Sequence, residues 1–488
     1  MRRRSRHPRP APSTALRLRD FVSGASGASG TQNWDLAFAK ARRVKDAVGI
    51  AALVAFALAL VFVLFALRRA GFSHVSDDDF ARTVIAQEWV ASLRGYRFVH
   101  ELPAFREARW VRVVDPSGTS WLPFPFWTTG AAMMLFGRSI EVARAAQLAM
   151  LAGATIVLGR ALHRARFDWL TVAFVLALGF ANPYALWLGA SQAPDAWVAV
   201  LLAAALVALV EEKPDRVAAL ALLAATLGRY EAWPVAAVFA GRYLLRRVST
   251  PAARRPLRAA VPLLGPLAWT AWNWLAHGSP LHFFARVSAY RSAHEALSLS
   301  ERALAVPRAS VELLDVGLSV VVLTSVVLIL WAPATRRRWG ATLLGLGALL
   351  GFLVVGSLGN GAPTHHAARA QLAVSFVGAA LLVVGSSEAM RRAQVRWGSA
   401  AGAVLVSAAC FAVVVWGAGV HERLRDHPGR GDADRAREIA RGEELVETSP
   451  AGITLTPCQY EYLATMAAYE APERALVTGS PTGCGSRR

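Results

Sequence analysis

The chain has 488 residues, 55% of them hydrophobic, and a formal net charge of +20. On a soluble protein this charge would suggest nucleic acid. Here the arginines cluster between apolar runs, and aromatic residues are not interleaved with them as a base-stacking surface requires. The pattern argues against a nucleic-acid partner and is typical of the loops of a polytopic membrane protein.

The first 46 residues are rich in Arg, Pro, Gly and Ser, which predicts a disordered basic tail on the cytoplasmic side. Residues 47–67 then contain no charge, and a helix of this length crosses a hydrocarbon core of about 30 Å. The run starts too late and is too long for the apolar part of a signal peptide. It therefore predicts a permanent first membrane span.

Further apolar runs recur along the chain and predict an all-α polytopic membrane domain over residues 47–420, with about eleven transmembrane helices. Residues 217–245 form either two helices or one kinked helix, because charged residues interrupt them. The runs after the first are roughly 142–161, 169–190, 196–210, 217–228, 232–245, 259–276, 311–332, 340–358, 370–386 and 398–420.

The distribution of Lys and Arg among the loops predicts how the chain is oriented in the membrane. With the N-terminus in the cytoplasm, the loops placed inside carry more Lys and Arg than those placed outside. This holds if residues 122–137, rich in Pro and aromatics, lie in or dip into the outer interface as a helix. The first outer loop then spans residues 68–141, and the C-terminus lies outside.

Residues 421–488 mix short strand-like and helical pieces, which predicts a small α/β appendage outside the membrane. Cys458 and Cys484 lie in it and would form a disulfide in an oxidising compartment, although two cysteines alone leave their pairing open. The third cysteine, Cys410, lies inside an apolar run, where it is expected to be inert packing.

Three consecutive acids, Asp77, Asp78 and Asp79, follow the first span. One of them is enough to cap the helix that the next residues predict. Three adjacent carboxylates repel one another, so at least one pKa should rise unless a cation lies near. A partly desolvated carboxylate beside a membrane is also a good general base, and the sequence leaves both interpretations open.

Other charged residues interrupt apolar sequence. Asp195 stands at the outer end of a predicted span, where it caps a helix or lines a site. Arg229 and Glu231 lie at membrane depth, where such residues usually face a cavity or a partner. They are two residues apart and cannot share a helix face, so they predict a turn that points into a site.

His365, His366 and Arg369 precede another predicted span. Adjacent histidines resemble metal ligands, but no Cys, Asp or Glu stands at ligand spacing beside them, so no metal is expected. An arginine close to histidines is better suited to holding a phosphate.

The order of three motifs resembles the glycosyltransferase C superfamily, which includes protein O-mannosyltransferases and lipid A aminoarabinose transferases. Asp77–Phe80 is similar to the family's Asp-Glu-x-Tyr, although Asp78 replaces the glutamate. A Trp- and Pro-rich segment follows at 120–127, and "LFGRSIEVAR" at 135–144 is similar to the family's entry to its second span. The resemblance covers residues 47–300 and, more loosely, 300–420.

This resemblance implies a membrane glycosyltransferase with its site on the outer face. The Ala- and Arg-rich composition indicates a high-GC bacterium, so the membrane would be the inner membrane and the outer face the periplasm. The enzyme would transfer a sugar, with inversion, from a polyprenyl-phosphate donor to a lipid, glycan or protein acceptor, and no cofactor or metal is expected. Asp77 would be the general base beside Asp78. The donor phosphate and the substrate would contact Arg229, Glu231, His365, His366, Arg369 and Asp195.

A polytopic transporter or lipid flippase is the alternative, because many spans with intramembrane Arg and Glu suit one. An inactive scaffold with the same fold is a third possibility. The sequence shows no convincing internal repeat, and a large acidic outer loop is not expected of a transporter. We therefore favour the glycosyltransferase.

Overall fold

The computed structural model describes residues 29–92, 121–245, 255–294, 297–359, 367–397, 427, 429–455 and 462–477. The chain forms two compact units, residues 1–55 and 56–488. Several sequence predictions lie outside the described residues: His365, His366, the three cysteines and the whole predicted span at 398–420.

The first helix, α1, runs from Ser29 to Arg69. Its part from Asp46 to Arg69 is long and apolar enough to cross a membrane, which confirms the first predicted span. The helix begins at Ser29, so the predicted disordered tail is wrong for residues 29–46, and residues 1–28 lie outside the described part. Arg68 and Arg69 lie in the last turn, where positive charge interacts favourably with the helix dipole.

Among the described residues, eight helices follow up to residue 245. Polar side chains fix the starts of several: Ser139, Asp168, Asn182 and Asp215 each accept a hydrogen bond from a backbone N–H of the first turn. The helices are α2 Asp78–Ser92, α3 Phe124–Phe136, α4 Ile140–Arg164, α5 Trp169–Phe180, α6 Pro183–Ala190, α7 Asp195–Ala208, α8 Arg216–Thr226 and α9 Ala232–Leu245.

The helices described after residue 245 differ widely in length. The longest of them, Leu299–Trp331, begins with a reciprocal capping box between Ser298 and Glu301 and is kinked at Asp315, which has a φ of 64°. They are α10 Arg255–Ala260, a 3₁₀ turn Val261–Leu263, α11 Leu264–His277, α12 His282–His294, α13 Leu299–Trp331, α14 Pro333–Leu358, α15 Ala367–Ala370 and α16 Leu372–Trp397.

In the described part of the chain, five helices are long and apolar enough to cross a membrane, or six if α5 and α6, bent by 79°, form one span. The predicted count of about eleven is not confirmed there. Helices α7, α8 and α9 are apolar but have 14, 11 and 14 residues. At 1.5 Å per residue each is shorter than a bilayer core of about 30 Å.

Helix α7 is buried along its whole length, packed against α4, α8 and α16. Its uniformly apolar sequence thus faces other helices, and its N-terminus carries Asp195 into the protein interior. A turn separates α8 from α9, so of the two alternatives for residues 217–245 the structure has two helices. The prediction that Arg229 and Glu231 lie in a turn is confirmed.

The C-terminal region contains α17 Ala433–Thr448, β1 Ile453–Leu455, α18 Tyr462–Tyr469, a 3₁₀ turn Pro472–Arg474 and β2 Ala475–Val477. The two strands pair in parallel, with Ile453 opposite Ala475. Helix α18 packs against α17 and α2.

This region does not stand apart as an appendage. Phe80 and Ile85 of α2 share one hydrophobic cluster with Met466 of α18. A tight backbone contact adds to it, since Ser73 donates its N–H to the carbonyl of Gly429 at 2.9 Å. A Cβ at Gly429 would lie 1.8 Å from the carbonyl oxygen of His74, so this approach requires glycine. The C-terminal region is therefore held beside the three aspartates.

Candidate active site

Asp195 is the centre of a buried ion network. Its carboxylate is 1% exposed and lies between two guanidinium groups. Arg229 Nη1 is 2.6 Å from Oδ1, and Arg369 Nε and Nη2 are each 3.1 Å from one carboxylate oxygen. A buried charge is costly unless it is paired and hydrogen-bonded, and here both oxygens are satisfied by cations.

Arg229 also binds Glu231 within the turn between α8 and α9. Its Nη2 lies 2.7 Å from Glu231 Oε1, and its Nε lies 3.2 Å from both carboxylate oxygens. Glu231 is 2% exposed. We call Asp195, Arg229, Glu231 and Arg369 the buried ion network; it joins the start of α7, the α8–α9 turn and α15.

The three aspartates have three different environments. Asp77 accepts hydrogen bonds from Arg435 Nε at 2.6 Å and Nη2 at 2.8 Å, so both of its oxygens are paired with α17. The Asp78 side chain is 37% exposed, and its Oδ2 lies 3.9 Å from Arg369 Nη1. Asp79 is fully buried. Asp78 is thus the most accessible carboxylate that also touches the buried ion network.

Asp79 accepts a hydrogen bond from the N–H of Val75 at 2.8 Å, and its other oxygen has no hydrogen-bond partner among the described residues. Burial raises the pKa of Asp79 to about 7, with the nearby carboxylates of Asp78 and Asp195 acting in the same direction. The sequence prediction that one carboxyl pKa of this triplet rises is confirmed, and burial is the main cause.

Replacing Asp79 by asparagine is expected to change how stability depends on pH. Since the folded-state pKa lies above its ordinary value, the ionised form costs free energy that grows as pH rises from about 4 to about 7 and is constant above that. The thermal midpoint of the wild type, relative to Asp79→Asn, should therefore fall up to about pH 7 and then level off. Thermal unfolding in detergent across this range measures the difference, and parallel curves would contradict it.

Sequence reasoning missed two arginines. Arg82 of α2 lies with its Cζ 4.1 Å from the centre of the Trp121 ring, and its Nε has no hydrogen-bond partner in the described part of the chain. Burial lowers the pKa of Arg82 to about 10, which leaves it charged at neutral pH. Its spacing of four residues from Asp78 was a usable signal. Arg435 lies in the C-terminal region, which the family resemblance did not cover.

A small polar cavity adjoins these groups. It is lined by Arg82, Thr83, Pro125, Phe126, Thr129, Ala143, Gln147 and Gln192. Gln192 is 2% exposed, and neither its amide nitrogen nor its amide oxygen has a hydrogen-bond partner among the described residues. Sequence reasoning gave no signal for this residue, because an uncharged amide beside a span is ordinary.

The structure brings together most of the residues predicted from the sequence. Arg369 joins Asp78 to the buried ion network, and Asp77 lies one residue before Asp78, paired with Arg435. The roles assigned to these residues, and the expected absence of a metal, stay predictions. The arrangement combines an accessible carboxylate with arginines, so it can accept a proton and hold an anion.

A scan against protein-family models finds no match, and neither does a search of curated proteins. Solved structures do match. ArnT from Cupriavidus metallidurans bound to undecaprenyl phosphate has 15% identity and a TM-score of 0.55, covering 88% of this chain and 89% of that chain. ArnT in the apo state has 15% identity and a TM-score of 0.47 over the same shares. ArnT is a lipid A aminoarabinose transferase. The first likeness shows that the chain shares the fold of that ArnT structure, in keeping with its several helices long and apolar enough to cross a membrane.

Proposed function

We propose that the chain transfers a sugar from a polyprenyl-phosphate donor to a hydroxyl of a lipid, glycan or protein acceptor. The main observation in support is that Asp78, an accessible carboxylate, lies beside the guanidinium of Arg369 in this fold. The solved ArnT with undecaprenyl phosphate bound supports the class of donor.

The general base belongs to the Asp77–Asp78 pair, and the geometry favours Asp78. Both oxygens of Asp77 accept charged hydrogen bonds from Arg435, so protonating Asp77 disrupts that pair. Asp78 is more exposed and makes a single long contact of 3.9 Å with Arg369. Asp77 then positions the start of α2 against α17, and Asp78 takes the proton.

The leaving phosphate requires positive charge that is not already neutralised. Arg229 is committed to Asp195 and Glu231. The Nε of Arg82 has no hydrogen-bond partner among the described residues, and Arg369, although paired with Asp195, also lies beside the accessible Asp78. We therefore assign the donor phosphate to Arg82 and Arg369, while Arg229 holds Asp195 in place.

The reaction then balances as follows. The acceptor hydroxyl gives its proton to Asp78, and its oxygen forms a bond to the anomeric carbon. The bond from that carbon to the phosphate oxygen breaks on the opposite face, so the configuration inverts. The electron pair leaves with the polyprenyl phosphate, whose growing negative charge the arginines stabilise.

The site belongs to the periplasmic face of a bacterial inner membrane, with the N-terminus in the cytoplasm and the C-terminus outside. The shared cluster of Phe80 with Met466 supports this, because it puts the C-terminal region on the same side of the membrane as the site. The excess of Lys and Arg in the opposite loops supports the same orientation.

Purified protein in lipid nanodiscs tests the proposal. We expect it to bind undecaprenyl phosphate by native mass spectrometry and to release that lipid from an undecaprenyl-phosphate-linked hexose when membrane extract supplies acceptors. A nucleotide-linked hexose serves as the control donor and should not react. If the wild type shows no binding and no release, the proposal is overturned. Flux across vesicles without covalent transfer would instead favour a transporter.

A further inference from the structure

The polar cavity beside Arg82 contains hydrogen-bonding groups that the protein does not use. Gln192 offers two amide donors and one amide acceptor without a partner in the described part of the chain. Gln147, in contrast, is bonded at both ends: it donates to Thr129 at 2.7 Å and accepts from Trp197 at 2.6 Å. Buried polar groups are rarely left unpaired unless a water or ligand completes them.

The hydroxyl groups of the two threonines that line the cavity each retain one unused hydrogen-bonding role. Thr129 accepts from Gln147, so its hydroxyl proton remains to donate. Thr83 donates to the carbonyl of Asp79 at 3.0 Å, so its lone pairs remain to accept. With Gln192, the cavity therefore presents both donors and acceptors to whatever enters, and its size admits about one hydroxyl-sized group.

The donors and acceptors that line the cavity determine which chemical group can bind there. A hydroxyl donates and accepts at once, so it satisfies Gln192 at both amide atoms. A carboxylate only accepts: it would compete with the donor phosphate for Arg82 and would leave the amide oxygen of Gln192 and the lone pairs of Thr83 without a donor. An ammonium group only donates and would lie beside the guanidinium of Arg82, a like charge.

We propose that the amide of Gln192 forms hydrogen bonds with a hydroxyl of the donor sugar, so that the enzyme uses a neutral hydroxylated sugar and discriminates against amino sugars and uronates. This rests on the proposed function, which puts the donor phosphate on Arg82. Arg82 and Gln192 line the same cavity, and the sugar is bonded directly to the phosphate. A sugar hydroxyl therefore lies within one ring of the phosphate, as the cavity requires.

The test compares three undecaprenyl-phosphate-linked donors: a hexose, the matching hexosamine and the matching hexuronate. The wild type should use the hexose at least about tenfold better than either charged donor. Gln192→Leu removes the amide at similar volume. It should lose about tenfold in kcat/KM with the hexose, since two neutral hydrogen bonds disappear. Its binding of bare undecaprenyl phosphate should not change.

Thermal stability separates a substrate role from a structural one. Since the amide of Gln192 is buried and unpaired, Gln192→Leu should unfold at the same or a higher temperature than the wild type. Gln87→Leu is the matched control, because Gln87 is buried but donates to the carbonyls of Arg138 and Ala467. It should lower stability without changing the order of preference among the donors.

The outcomes distinguish the two proposals. If wild type and Gln192→Leu turn over the donors with the same preference, the cavity holds a buried water only and the inference is overturned. A loss of activity in Gln192→Leu that matches a loss of stability overturns it too. If the wild type binds no undecaprenyl phosphate, the proposed function itself fails.

Discussion

Replacing Asp78 by asparagine is expected to lower the rate of sugar transfer by about 10²–10⁴-fold. The amide keeps the shape of the side chain but cannot take the proton of the acceptor hydroxyl. Donor binding should be retained or improved, because one negative charge 3.9 Å from Arg369 disappears. Initial rates with a labelled undecaprenyl-phosphate hexose, together with native mass spectrometry of the bound lipid, measure the two effects separately.

The Asp77–Arg435 pair provides the control. Asp77→Asn and Arg435→Gln each break a bidentate ion pair and should lower activity less than Asp78→Asn does. The reversed pair, Asp77→Arg with Arg435→Asp, should recover activity if the pair only positions α2. An arginine at position 77 cannot act as a base. A loss in Asp77→Asn as large as in Asp78→Asn, without recovery in the reversed pair, would make Asp77 the base.

Most of the candidate site was predictable because its signals are local. Asp195, Arg229, Glu231 and Arg369 are charges in apolar sequence, where an ionised group is costly unless it is paired or functional. Their pairing partners were not predictable. Arg435 binds Asp77 from 358 residues away along the chain, and no periodicity indicates such a contact.

Arg82 and Gln192 were missed for a different reason. A basic residue on an amphipathic helix and an amide beside a span are ordinary in sequence. They stand out because they are buried with side-chain atoms that have no hydrogen-bond partner among the described residues, and this depends on how α2, α3, α4 and the start of α7 pack together. That packing is a property of the tertiary structure alone.

The number of membrane spans was also not predictable from the sequence, because it depends on tertiary packing. Hydropathy found α1 and α4, whose lengths fit a bilayer. It counted α7 as a crossing because every residue of that helix is apolar or small apart from Asp195. A helix that is apolar all round is buried either in protein or in lipid, and composition does not separate the two. The structure does, because α7 is enclosed by other helices.

Replacing Asp195 by asparagine is expected to have the largest effect on stability. Asp195 is 1% exposed and neutralises parts of two guanidinium groups, so its loss leaves Arg229 and Arg369 close together with less negative charge between them. Removing one partner of a buried ion pair costs about 3–5 kcal/mol. Thermal unfolding in detergent should show a clear fall in midpoint, and transfer activity should fall with it because Arg369 no longer has a fixed position beside Asp78.

Asp215 is the matched control. It too pairs with two arginines, Arg160 and Arg164, but these side chains are 42% and 39% exposed, so water solvates their charge when the carboxylate is removed. Asp215→Asn should cost at most about 1 kcal/mol, since exposed pairs contribute little and asparagine still caps α8. Equal destabilisation by the two substitutions would mean that water reaches the buried ion network, and the expected cost of removing Asp195 would then be wrong.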